Sequence, residues 1–179
     1  IISNKSFHEV KDIVHKEPYF LQVKESNEYP NLYMLVYDND TSDFSHEFVR
    51  NCRGVILEKN TNKIICYTFN KKKEITVEDA EKVYESIDGT HVKLFYYEGK
   101  WLKSTTRCIN AYNAYWYSTR SFGELFDECD SGQIHYDLLN KNYCYGFVIC
   151  HTDNRIVTDY HENRLVHVCT RDLSVEGYP

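Results

Sequence analysis

The sequence predicts an α+β fold built mainly from antiparallel hairpins, with helices packed outside. Three observations predict it. The 179 residues include 16 Tyr and 9 Phe, and aromatic side chains favour strands over long helices. Short apolar runs follow one another across tight turn signals, as in hairpins. Strand and helix patterns do not alternate, as a doubly wound parallel sheet would require.

The elements follow in order. Ser6 and Glu9 form a capping-box signature, followed by Phe7, Val10, Ile13 and Val14 on one helical face. This short packing helix ends near Glu17-Pro18. Leu32 to Tyr37 is apolar and β-rich. Arg53 to Leu57, the turn Asn60-Thr61-Asn62 and Ile64 to Tyr67 form a hairpin. Thr76 is positioned to cap a second helix carrying Val77, Ala80, Val83 and Tyr84. It leads into Ser86-Ile87-Asp88-Gly89-Thr90. His91 to Tyr97 and Lys100 to Thr106 flank Glu98-Gly99, a two-residue hairpin turn. Phe122, Leu125 and Phe126 mark a third helix within Ser118 to Cys129. Tyr143 to Cys150, Arg155 to Tyr160 and Leu165 to Thr170 read as three successive strands.

Composition bounds the function. The chain is 42% hydrophobic and 27% charged, with 7 Gly and 3 Pro, which is the profile of one folded domain. No apolar run approaches the ~20 residues of a membrane span, and no signal-peptide pattern is read, so no membrane partner is expected. The first residue is not Met and the sequence stops at Tyr178-Pro179, so a piece of a longer protein is expected. A net charge of -6 argues against indiscriminate coating of RNA through phosphates, while leaving room for a local basic groove. Cys52, Cys66, Cys108, Cys129, Cys144, Cys150 and Cys169 contain no C-x-x-C pair. Reduced, buried thiols in an intracellular, reducing compartment are the expectation. Cys150-His151 lacks partners at zinc-ligand spacing.

Four segments, in order, resemble the adenylation domain of the phage-type RNA ligase 1 family, within the covalent nucleotidyltransferases that include DNA ligases and capping enzymes. Cys52-Arg53-Gly54-Val55-Ile56-Leu57 is similar to the family's C-R-G before an apolar strand. Tyr67-Thr68-Phe69-Asn70 stands where the family writes K-F-F-N, with Glu74 a few residues on. Tyr84-Glu85-Ser86-Ile87-Asp88-Gly89-Thr90 matches E-K-x-D-G-S/T. Gly146-Phe147-Val148, Asp153-Asn154-Arg155-Ile156-Val157 and Tyr160 resemble F-E-x-V-S-P-x-N-R-I-V-x-x-Y. The likeness spans residues 30 to 172. It implies an antiparallel-sheet nucleotidyltransferase (ligase adenylation) fold. Residues 1–30 are then an N-terminal helical segment packing on the domain, and residues 31–179 an RNA-ligase-like domain incomplete at its C-terminus.

The departures matter as much as the matches. In the family a lysine amine attacks the α-phosphate of ATP; such an amine works only when deprotonated by desolvation and neighbouring cations. Ser86 occupies that position, and a hydroxyl without a general base is a far poorer nucleophile. Val148 stands where the resemblance places a glutamate that contacts the ribose. Tyr67 replaces a basic residue near the phosphates. Losing a positioned charge or hydrogen bond at a reacting centre costs about 2–4 kcal/mol; losing the nucleophile removes the step. What remains, by resemblance, is a framework for a nucleotide. Arg53 and Gly54 face its phosphate or sugar side, Phe69 flanks the base, Asp88 and Gly89 shape the turn beneath, and Arg107 follows the second hairpin strand. Each has a plainer alternative: a paired surface arginine, a core phenylalanine, an ordinary turn. Glu176-Gly177 follows Asn154-Arg155 too closely to be the family's E-G strand and reads as a loop, and the family's K-x-K strand is absent.

Other features read as structural. Lys71-Lys72-Lys73 is a solvated turn before it is a phosphate contact. Tyr112, Tyr115, Trp116 and Tyr117 are core and hairpin-face packing before they are base-stacking residues. His135, His161 and His167 share no triad or metal spacing, and Asp127, Glu128 and Asp130 read as a solvated helix end. The resulting expectation is an RNA-ligase-like domain without its nucleophile, serving as a nucleotide- or RNA-binding or scaffold module. ATP with Mg2+ is implied if a nucleotide is bound, and a nucleotide, an RNA end or a protein is the partner. One alternative is a fragment of an active ATP-dependent RNA ligase whose lysine has been substituted at Ser86; another is a generic α+β domain. The Asn, Lys and Tyr richness suggests an AT-rich, virus-encoded gene.

Overall fold

A computed structural model describes residues 1–71 and 82–174. Its architecture is α+β. Among the described residues the order is α1 (Phe7–Val14), β1 (Leu21–Glu25), β2 (Leu32–Tyr37), α2 (Glu47–Asn51), β3 (Arg53–Glu58), β4 (Ile64–Cys66), β5 (Thr90–Tyr97), β6 (Lys100–Thr105), α3 (Phe122–Asp130), β7 (Tyr143–Cys150) and β8 (Arg164–Asp172). Two antiparallel four-stranded sheets result, one ordered β1-β2-β3-β4 and the other β6-β5-β7-β8.

Side-chain alternation stacks these elements in layers. In β2, Tyr33, Leu35 and Tyr37 join Val10 and Val14 of α1 and Val49 of α2 on the outer face of the first sheet. The alternate residues Leu32, Met34 and Val36 face inward with Ile56 and Cys66, meeting Phe95, Leu102 and Cys144 of the second sheet. Val92, Leu94, Phe147 and Ile149 on the far face of that sheet are covered by Leu125, Phe126 and Cys129 of α3. All six residues of β2 are therefore buried. The Tyr33 hydroxyl donates to Asn62 Oδ1 at 2.8 Å, and the Asn62 amide donates to the carbonyls of Ile2 and Lys5.

Local signals explain the termini. The Ser6 hydroxyl accepts from the Glu9 N–H, and the Glu9 carboxylate accepts from the Ser6 N–H at 2.8 Å. Ser121 and Glu124 repeat this box at α3. Each box satisfies amide groups that a helix start leaves without partners. At the β5–β6 turn, Glu98 and Gly99 both have positive φ, 45° and 86°, the primed geometry that matches strand twist.

Some expectations need correction. No sequence pattern marks β1 or α2; β1 pairs with β2 from Leu21↔Tyr37 to Glu25↔Tyr33, so the segment before residue 30 also supplies an edge strand. Arg155 to Tyr160 is not a strand but a loop. The backbone amides of Val157 and Thr158 donate to the Asp88 carboxylate at 2.9 and 2.7 Å, which takes them out of any ladder. Tyr115, Trp116 and Tyr117 do not pack in the core: they are 55%, 56% and 88% exposed. The helix expected after Thr76 lies largely outside the described residues, as do Lys72, Lys73, Glu74 and Glu176-Gly177. Val83 and Tyr84 are exposed in irregular chain. Among the described residues no helix is long and apolar enough to cross a membrane.

Candidate functional site

The first segment meets the turn after β6, and the third and fourth meet each other. Gly54, the second residue of β3, has φ 77°, and a Cβ there would lie 2.4 Å from the Thr106 carbonyl oxygen. Only glycine allows this approach at that φ, and it brings Arg53 beside Arg107. Together with Val36, Tyr37, Asn39 and Thr106 they line a polar cleft of about 200 Å³. A turn presents Arg107: the Thr105 hydroxyl accepts from the N–H groups of Arg107 and Cys108 at 3.2 and 3.0 Å. Asp38 lies near Arg107; backbone N–H donation from Asp40 and, further down, the Arg107 charge hold its carboxyl below the usual range. Two arginines thus line the cleft, and a guanidinium is the donor best suited to a phosphate.

Beneath the cleft, β5 turns the polar residues His91 and Lys93 inward, ahead of the apolar Phe95. Lys93 is fully buried and its ammonium donates to the Gly54 carbonyl oxygen. Burial drives its pKa down, and the Arg53 charge pushes the same way. The thiols of Cys66 and Cys144, 3.0 Å apart, oppose that effect. His91, two residues earlier, pairs with Val148 across β5 and β7. Its Nε2 is buried without a hydrogen-bond partner. Burial first, then the charges of Lys93 and Arg53, hold its pKa at about 3, so the ring is neutral at physiological pH.

Phe69 sits against this face. Its ring lies 5.5 Å from His91 and 6.0 Å from the Arg171 guanidinium, and Arg171 Nε donates to the Thr68 carbonyl at 2.8 Å. Gly146 leaves the space that His91 and Cys169 use: a Cβ there would be 2.9 Å from His91 Nε2 and 2.6 Å from Cys169 Sγ. Tyr67 packs against the outer core of the first sheet.

The remaining segments close on each other. Gly89, φ 142°, leaves no room for a side chain, since a Cβ would lie 2.3 Å from the Ile149 carbonyl oxygen and 2.8 Å from Val148 Cγ1. Asp88 receives Val157 and Thr158 through its carboxylate and the Tyr160 hydroxyl, at 2.6 Å, through its carbonyl. The Thr158 amide does most to keep the Asp88 carboxyl acidic. Asn154, 2% exposed, donates to the Thr90 hydroxyl at 2.9 Å. Val148 is 7% exposed and carries no charge into this region. Ser86 is exposed in the irregular segment before Asp88 and does not line the cleft of Arg53 and Arg107.

The sequence patterns did not single out His91, Lys93 and Arg171. A signal existed for two of them: basic residues two apart in the otherwise apolar Val92-Lys93-Leu94-Phe95 run mark a polar strip on one strand face. Lys71, expected in a solvated turn, lies instead 4.2 Å from the Phe44 ring centroid and 5.4 Å from that of Tyr37. Among the described residues no group of three or more His, Cys, Asp or Glu is placed to hold a metal ion.

No family model matches the sequence. Three viral proteins are similar to it. An immediate-early protein ICP-46 homolog of Invertebrate iridescent virus 3 is 31% identical over 138 residues, covering 64% of this chain and 31% of that protein. A protein of Autographa californica nuclear polyhedrosis virus named as a bifunctional polynucleotide kinase/RNA ligase is 28% identical over 195 residues, covering 94% of this chain and 28% of its own length. An RNA ligase of Rhodothermus phage RM378 is 28% identical over 190 residues, covering 83% of this chain and 43% of the phage protein. In sequence, then, the chain is RNA-ligase-like, with viral relatives. It spans between about a quarter and a little under half of the length of these relatives.

Proposed function

We propose that this chain is a degenerate adenylation domain of the RNA ligase type, which binds the phosphate-bearing end of a nucleotide or RNA without taking the adenylyl group covalently. The observation that carries this reading is the separation of two features that a working ligase would unite. Arg53 and Arg107 both line a polar cleft, whereas the motif position for the attacking amine is the exposed hydroxyl of Ser86. Displacing pyrophosphate from ATP requires an unprotonated amine aligned with the α-phosphate. A serine hydroxyl with no base beside it in the motif does not supply one. Val148, against Gly89 and opposite His91, supports the same reading, because an isopropyl group cannot accept a hydroxyl hydrogen bond.

A second reading is an active ATP-dependent RNA ligase in which Ser86 stands in place of the lysine. The likeness to two proteins named as RNA ligases favours it. One pair of measurements separates the two. Protein incubated with ATP and Mg2+ is expected to show no covalent nucleotide by intact mass spectrometry, and Ser86→Lys alone is expected not to restore it. A mass gain of one nucleotide in Ser86→Lys would favour the second reading. Calorimetry with ATP, GTP and a 5′-phosphorylated RNA is expected to give saturable heat that Arg53→Ala or Arg107→Ala weakens. No heat with any of them would defeat the binding function and leave a scaffold.

A further inference from the structure

We propose that the loop carrying Tyr115, Trp116 and Tyr117 is a docking surface for a cationic polypeptide segment. None of these three residues lines the cleft of Arg53 and Arg107, and the inference does not rest on the function proposed for that cleft. The loop is closed at its neck, where the Phe122 N–H donates to the Ala114 carbonyl at 2.8 Å. Its root is held as well. The Asn110 side chain accepts from the Tyr112 N–H at 3.0 Å, and the Tyr112 hydroxyl donates to Asp127 at 2.6 Å. Gly123 leaves room for the Tyr112 ring, since a Cβ there would lie 2.4 Å from it. A fixed base therefore presents three aromatic side chains to solvent, with the Trp116 and Tyr117 rings edge to face at 5.1 Å. Contiguous exposed aromatics mark interaction sites, and Trp and Tyr dominate their binding energy.

Charge decides the class of partner. The adjoining α3 exposes Glu124, Asp127 and Glu128 and carries no basic residue. Arg120, inside the loop, is held by both Glu128 and Asp153. Lys103 is bound to Asp127 at 2.6 Å. Among the described residues, Lys103 and Arg120 stand against Glu124, Asp127, Glu128 and Asp153, so acidic groups outnumber basic ones around the loop. Single-stranded nucleic acid also stacks on aromatic rings, but it needs cations for its phosphates. Guanidinium and ammonium groups, by contrast, are attracted both by ring faces and by the carboxylates beside them. The surface fits a segment in which arginine or lysine alternates with apolar residues.

Fluorescence can test this directly, because the chain has only two Trp. Trp101 sits among the rings of Tyr96, Tyr136 and Tyr145, so Trp101→Phe leaves Trp116 as the sole indole. Calorimetry on the unsubstituted protein runs alongside, so the outcome does not depend on that variant folding. The probes are a short peptide alternating arginine and leucine, the same peptide with glutamate for arginine, and a single-stranded oligouridylate. The arginine peptide is expected to shift Trp116 emission saturably and to lose at least about tenfold in affinity on Trp116→Ala. The glutamate peptide and the oligouridylate are expected to do neither. Oligouridylate binding through Trp116 would replace the proposal with a nucleic-acid surface. Peptide affinity unchanged by Trp116→Ala, or no response to any probe, would overturn it.

Discussion

Replacing His91 with leucine is expected to remove a specific acid sensitivity from the fold. The imidazole lies between the sheets with Nε2 buried and unpartnered, and its pKa falls from 6.5 to about 3. In the unfolded chain it takes a proton readily below 6.5, whereas in the folded chain it does not. The unfolded state therefore binds more protons between those values. The neutral ring costs the fold nothing above 6.5, and stability is lost as pH falls from 6.5 towards 3. With about 1.4 kcal/mol for each pH unit of that difference, the loss at pH 5 is about 2 kcal/mol relative to pH 8. Urea unfolding of native protein and His91→Leu at pH 8 and pH 5 measures it. Contributions from other groups, including His151, whose pKa burial also lowers, cancel when the two proteins are compared. Native protein should lose about 2 kcal/mol more than the variant on acidification, with equal denaturant slopes. Equal losses would show that His91 protonates freely in the folded chain and that the strip it shares with Lys93 is open to water.

Three further outcomes follow from the same geometry. Gly54→Ala forces a methyl against the Thr106 carbonyl at positive φ and is expected to cost about 2–4 kcal/mol in urea unfolding; a loss below about 0.5 kcal/mol would mean that β3 and the turn after β6 are not in contact. Asp88→Ala removes the acceptor for two amides, so amide exchange at Val157 and Thr158 should accelerate while that of β7 stays slow. Unchanged exchange at those two positions would refute the assignment. Ser121→Ala breaks the box at α3 and should cost about 1 kcal/mol, read as a lowered unfolding midpoint; an unchanged midpoint would show that the box contributes nothing.

The parts legible in the sequence were those fixed by neighbours in the chain. Ser6 with Glu9 located α1, and Glu98-Gly99 located the β5–β6 hairpin, because caps and turns are decided within a few residues. Arg155 to Tyr160 misled because Ile156, Val157 and Tyr160 look strand-like locally, whereas the partner of their amides is Asp88, roughly 70 residues earlier. Tyr115 to Tyr117 misled for the opposite reason: aromatic density suggests burial, but a closed neck at Ala114 and Phe122 holds the rings outside. At the candidate site, the order of four segments pointed to Arg53, Asp88 and Gly89, and the place after the second hairpin strand pointed to Arg107. The spacing of His91 and Lys93 carried a signal for a polar strip on one face of β5, but its setting is made by β3, β4 and β7 and emerged only when the sheets were stacked.

A strand covered on both sides has an unusual freedom. Sliding β2 by one position would exchange Leu32, Met34 and Val36 for Tyr33, Leu35 and Tyr37 without sending a charged side chain inward, so hydrophobic patterning alone discriminates weakly against the misaligned pairing. The tether from the Tyr33 phenol to Asn62, and onward to the carbonyls of Ile2 and Lys5, supplies a discriminating contact. In Tyr33→Phe the oily surface would survive while that pin is withdrawn. Heterogeneous strand alignment, more than simple loss of stability, is the defect such a variant should display.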